Sequence, residues 1–131
     1  MRRRASLKTI IVGTDGSSTA AQAVREAGNI AQSSGARVHV VSAYERITSA
    51  TEAIVDEAAA TLREMGAEAE GHVLAGDPTG AILEVADEEH ADLIVVGGNG
   101  MKRAKRFLPD SVPNKLSHQA RCSILVVRAR A

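Results

Sequence analysis

Four short runs of aliphatic, largely β-branched residues constrain this chain most: residues 9–12, 38–41, 93–96 and 124–127. Runs that stay apolar at nearly every position, rather than alternating, are what parallel strands covered on both faces require. A weaker fifth run over residues 69–74 sets Glu70 and His72 between apolar neighbours, the pattern of an edge strand wet on one side. Helical periodicity fills the gaps. Ala20, Ala23, Val24, Ala27 and Ala31 recur at helical spacing after Ser17-Ser18 and before Gly35. Ile47, Ala50, Ile54, Ala58, Leu62 and Met65 trace a second stripe that ends at Gly66. Asp77-Pro78 opens a third helix carrying Ile82, Leu83 and Ala86, and a fourth runs from about Ser111 to Ala120 through Val112 and Leu116. Strand and helix alternate from end to end, so the expected fold is α/β: an open, doubly wound, Rossmann-like parallel sheet with about four helices.

Length and charge narrow the function. The 131 residues suit one domain spanning residues 1–131, with residues 1–6 a flexible basic start. Sixteen basic and sixteen acidic side chains cancel, so no global field draws nucleic acid or an anionic membrane. Only Tyr44 and Phe107 are aromatic, which leaves no stacking platform for single strands. The apolar segment after Met1-Arg2-Arg3-Arg4 is broken by Lys8 and too short for a signal peptide or a span, so a cytoplasmic protein is expected. Cys122 stands alone beside an apolar run, a small buried residue rather than half of a disulfide. His39, His72, His90 and His118 show no metal-ligand spacing along the sequence and no nucleophile partner, so no metal and no catalytic residue is expected.

In doubly wound sheets ligands sit beyond the carboxyl ends of the strands, where strand order reverses. Three strands here end in unusual residues: Gly13-Thr14-Asp15-Gly16-Ser17, Ser42-Ala43-Tyr44, and Gly97-Gly98-Asn99-Gly100. Asp15 has two readings, a carboxylate favoured before a helix or an acceptor for a ligand's base or sugar. Gly97, Gly98 and Gly100 are able to adopt positive φ and bring backbone amides to an anion. Ser111 would complete such a cradle at the start of the last helix, or is an ordinary N-cap. Pro113 suits either account.

These residues resemble the universal stress protein family. Its nucleotide-binding members carry Gly, two residues, Gly, nine residues, then Gly and Ser or Thr; Gly97, Gly100 and Ser111 match, and Asp110 stands where the last of the three glycines belongs. The opening strand through Asp15, the segment from Val73 to Pro78, and Ser117 to Val127 resemble the family's as well. The resemblance implies a five-stranded sheet ordered 3-2-1-4-5 and an adenine nucleotide between strands one and four. Asp15 and the backbone at Ala43 would face the base, while Gly97, Gly100, Ser111 and Val112 would hold ribose and phosphates. It also implies a homodimer through the last strand, residues 123–128.

Asp110 sets which nucleotide. A like-charge pair at about 5 Å and an effective dielectric of ~20 costs roughly 3 kcal/mol, which one charge-assisted hydrogen bond barely offsets. Lys102, Arg103, Lys105 and Arg106 lie between the half-motifs, either to neutralise that charge or as a solvated basic loop, and Pro109 removes a donor. AMP or cyclic AMP is therefore expected ahead of ATP, with magnesium only alongside ATP. The expected role is regulatory binding without turnover. A slow ATPase or autokinase, and a stress protein acting only through dimer and partner contacts, are the alternatives. A receiver-type domain is excluded, since the first strand lacks an acidic pair and the last lacks a terminal lysine.

Overall fold

The computed structural model describes residues 7–98 and 111–128. Five strands, β1 (Thr9–Gly13), β2 (Arg37–Tyr44), β3 (Glu68–Ala75), β4 (Leu93–Gly97) and β5 (Ser123–Val127), form one sheet in the order β3-β2-β1-β4-β5. Every neighbouring pair is parallel. Four helices connect them: α1 (Ser18–Ser34), α2 (Ser49–Glu64), α3 (Pro78–Glu89) and α4 (Val112–Gln119). The expected architecture and strand order are those found.

Period-two alternation in the buried strands sorts the core into two layers. Ile10, Val12, Val38, Val40 and Val95 face α1 and α2, where Ala23, Val24, Ala27, Val55, Ala59 and Leu62 meet them. Ile11, Val41, Ile94 and Val96 face the other way, onto Ile82, Val85 and Leu116 of α3 and α4. Burying each of Ile10, Ile11 and Ile94 completely stabilises the fold by roughly 1.5–3 kcal/mol. The amino ends of the central strands are tied by Asp92, whose Oδ2 accepts from the Lys8 and Thr9 amides at 2.9 and 3.0 Å.

Local chemistry sets the helix limits. Ser17 caps α1 by accepting from the Ala20 amide at 3.2 Å, and Asp77 caps α3 through the Gly80 amide at 2.9 Å. In α2 the expected stripe holds at Leu62 and, half-buried, at Ala58, but not at its start. Thr48 and Thr51 form a reciprocal capping box, so the helix starts at Ser49 and leaves Ile47 outside, 42% exposed. Its buried side is Val55, Ala59 and Leu62, one position away from Ile54 and Ala58. β3 is an edge strand as expected, with Glu70 exposed and His72 half-buried. The basic start at residues 1–6 lies outside the described residues.

Candidate functional site

The sheet reverses its order between β1 and β4, which pair in register from Ile10 and Leu93 to Val12 and Val95. The chain leaves β1 for α1 on one face, whereas α4 lies against the opposite face. In doubly wound sheets the crevice that takes a ligand lies where two such connections part, at the carboxyl end of the sheet.

The wall after β1 is a tight, hydrogen-bonded turn. The Thr14 amide donates to the Val41 carbonyl at 3.0 Å. Thr14 Oγ1 accepts from the Gly16 amide at 3.1 Å, and Asp15 Oδ1 accepts from the Ser17 amide at 2.9 Å. Asp15 is exposed. One carboxylate oxygen thus shapes the turn, as the structural reading requires, and the second oxygen remains for a ligand.

Beside that turn, the unusual Ser42-Ala43-Tyr44 end of β2 forms a small polar network. The Ser42 hydroxyl donates to the Thr14 carbonyl and lies 3.0 Å from the Tyr44 hydroxyl. Ser42 has one proton to give, so Tyr44 is the donor between them. Ser42 is buried and Ala43 half-buried, packed toward α3 and α4. The signal in the sequence was the hydroxyl pair Ser42 and Tyr44 after the aliphatic Val40-Val41. The Thr79 hydroxyl, in the first turn of α3, is buried and has no partner among the described residues.

The glycines after β4 behave differently from the expectation. Neither Gly97 nor Gly98 has positive φ. A Cβ on Gly97 would stand 2.9 Å from Thr19 Cγ2 and 3.1 Å from the Thr19 carbonyl carbon and oxygen, so this glycine is set by the close approach of α1. Gly98 donates its amide to the Val127 carbonyl at 2.8 Å, and a Cβ there would meet Val126 Cγ1 at 2.8 Å. The Gly98 amide is thus spent on pairing the strands rather than left open for an anion. Gly100 and Asp110, with the four basic residues between them, lie outside the described residues.

Across the crevice, Ser111 is the N-cap of α4, accepting from the Asn114 amide at 3.4 Å. Its hydroxyl proton has no acceptor among the described residues. Pro113 has no N–H, which leaves the Val112 amide as the first-turn donor without a bond among the described residues. Val112 itself packs against the α3 side of the core. Asp15 and Ala43 therefore lie at the ends of β1 and β2, and Ser111 and Val112 at the opening of α4.

Cys122 is half-buried rather than buried. Burial and then the Asp92 charge still push its thiol above its usual range, so it is a poor nucleophile. The histidines are another matter. Parallel pairing of β2 with β3 sets His39 opposite Glu70 and Val41 opposite His72, bringing His39 Nδ1 within 2.9 Å of His72 Nε2. Spacing along the sequence hid this because the two residues belong to different strands.

The model of the universal stress protein family matches residues 6–128. A universal stress protein of Mycobacterium tuberculosis H37Rv is 33% identical over 140 residues, an alignment covering 92% of this chain and 95% of the relative. Among solved structures, a universal stress protein in complex with cAMP superposes with a TM-score of 0.87 at 35% identity, covering 95% of this chain and 98% of that one. The universal stress protein of Archaeoglobus fulgidus in complex with dAMP superposes with a TM-score of 0.75 at 27% identity, over 92% and 97% of the two chains.

Proposed function

The chain belongs to the universal stress protein family, and we propose that it is a regulatory protein that binds an adenine mononucleotide, AMP or cyclic AMP ahead of ATP, in the β1/β4 crevice without turnover. The observation that carries this reading is its likeness to a universal stress protein in complex with cAMP, over nearly the full length of both chains. In this reading the free Asp15 oxygen and the Ala43 backbone face the base and sugar. Gly97, Gly100, Ser111 and Val112 hold the ribose and phosphate.

Donor supply favours the monophosphate. Pro113 has no N–H and the Asn114 amide is taken by Ser111, so the α4 opening offers one hydroxyl and one amide. One charge-assisted hydrogen bond contributes about 1.5–3 kcal/mol, enough to offset a single repulsion from Asp110 of roughly 3 kcal/mol but not several. A triphosphate brings more charge to the same few donors. Among the described residues, Asp15 is the acidic side chain at the crevice, and a magnesium site for phosphoryl transfer ordinarily needs more. Binding without hydrolysis follows.

Calorimetry with AMP, cyclic AMP and magnesium-ATP, on the full chain and on Asp110→Gly, tests the proposal. The monophosphates should bind more tightly than ATP, and Asp110→Gly should raise ATP affinity by about tenfold or more. Submicromolar magnesium-ATP binding by the unaltered chain would contradict it.

The proposal extends to assembly. β5 pairs with β4 along one edge, and its other edge has no strand partner among the described residues. Val126 on this strand is 41% exposed. An apolar open edge is a liability unless covered, and antiparallel pairing with β5 of a second copy covers it. A homodimer formed this way leaves the two crevices separate.

A further inference from the structure

We propose that His39, Glu70 and His72, on the α3 side of the β2/β3 edge, form a site for a divalent transition-metal ion of the zinc class. The site is distinct from the crevice. His39 lies four residues before Ala43 along β2, or about 13 Å at roughly 3.3 Å per residue.

Three ligand atoms of suitable chemistry converge. His39 Nδ1 is 2.9 Å from His72 Nε2 and 3.8 Å from Glu70 Oε1, and all three atoms lie within 4.8 Å of one another. Zinc–nitrogen bonds of about 2.0–2.1 Å in a tetrahedron place neighbouring ligand atoms about 3.3 Å apart. The two distances to His39 Nδ1 fall on either side of that spacing. Glu70 is exposed on an edge strand, free to swing its carboxylate inward. Two imidazoles and one carboxylate suit zinc and its neighbours rather than magnesium or calcium, and three protein ligands leave a fourth position for water.

The surroundings of His39 fix which nitrogen faces the ion. Its side chain is 2% exposed, and Nε2 is buried without a hydrogen-bond partner among the described residues. The nearest charge to Nε2 is Glu89 Oε1, from the last turn of α3, at 3.5 Å. A bare Nε2 lone pair facing a carboxylate is repulsive, so the proton belongs on Nε2 and the Nδ1 lone pair points toward His72. A carboxylate behind a histidine with the opposite nitrogen directed at the ion is the arrangement that orients metal-bound imidazoles. Glu89 is thus a positioning residue. In the metal-free state the His72 Nε2 proton fills the gap between the two rings; on binding that proton moves to His72 Nδ1 and the ion takes its place, with both rings neutral throughout. The ion would clamp edge strand β3 to β2 under the end of α3.

Equilibrium dialysis of the untagged full chain against Zn2+, read by elemental analysis, gives stoichiometry and affinity, and Co2+ reports the geometry by its visible absorption. One ion per chain and the intense visible bands of four-coordinate cobalt are expected. His72→Gln should weaken binding at least tenfold and Glu70→Gln by a smaller factor, while His118→Gln leaves it unchanged. Both altered ligands lie on the edge strand, so circular dichroism should show each variant folded. In imidazole NMR spectra the His39 and His72 rings should shift with Zn2+ and those of His90 and His118 should not. No uptake at micromolar Zn2+, affinity unaffected by both ligand variants, or ring shifts confined to His90 or His118 would each overturn the site.

Discussion

At the scale of single residues, glycines and a histidine decide more than their chemistry suggests. Gly97 looked like part of an anion loop in the sequence, yet the backbone of Thr19 stands where its Cβ would go. Gly97→Ala should therefore destabilise the fold by about 1–3 kcal/mol, seen as a lower urea midpoint, even with no nucleotide present. An unchanged midpoint would mean that α1 gives way easily. No pattern along the sequence signals this contact, because it joins a strand end to a helix residues 78 positions earlier in the chain. His39 makes a second prediction at this scale. Burial holds its pKa below the usual 6.5, with His72 and Arg37 pushing the same way and Glu89 and Glu70 opposing. The unfolded chain takes up a proton near pH 6.5 that the native state resists, so stability should fall as pH drops through about 6.5 and level off below the native pKa. Chemical denaturation from pH 8 to pH 5 should show that loss in metal-free protein, and His39→Gln should flatten it. An equal slope in both proteins would place the titration elsewhere.

At the scale of elements, helix caps carry the local specification. Ser111 accepts the Asn114 amide, and α4 is eight residues long, too short to hold without its cap and its packing. Ser111→Ala should cost about 1 kcal/mol in thermal or chemical denaturation and should weaken AMP binding besides; Ser111→Asp should keep the cap but repel the phosphate. Stability restored by aspartate together with unchanged AMP affinity would remove Ser111 from the nucleotide site. The strands were legible because aliphatic runs at successive positions have few other uses. The α2 boundary was not, since Ile47 fits the helical spacing while the Thr48–Thr51 capping box starts the helix only at Ser49. β5 is the other element with a consequence. If its open edge forms the dimer, Val126→Lys should convert a dimer to a monomer by light scattering, and a persistent dimer would direct attention to another surface.

At the scale of the whole molecule, the sheet order β3-β2-β1-β4-β5 brings together segments that no local motif connects. The alternation of strand and helix announced a doubly wound sheet, and the resemblance to universal stress proteins supplied the order. The turn that carries Asp15 was legible as well, because it follows β1 directly and leads into α1. The Ser42–Thr14 bond and the His39–His72 pair were not, since both depend on which strands pair and in what register. The same architecture separates a crevice at the carboxyl end of the sheet from the histidine pair at the β2/β3 edge, so nucleotide and metal should bind independently. The central claim, an adenine mononucleotide in the β1/β4 crevice, is tested most directly by titrating isotopically labelled full chain with cyclic AMP and following the backbone amides by NMR. The account predicts saturable shifts concentrated at Thr14, Asp15, Ala43, Ser111 and Val112; saturable shifts elsewhere with these five unmoved, or no shifts at all, would contradict it.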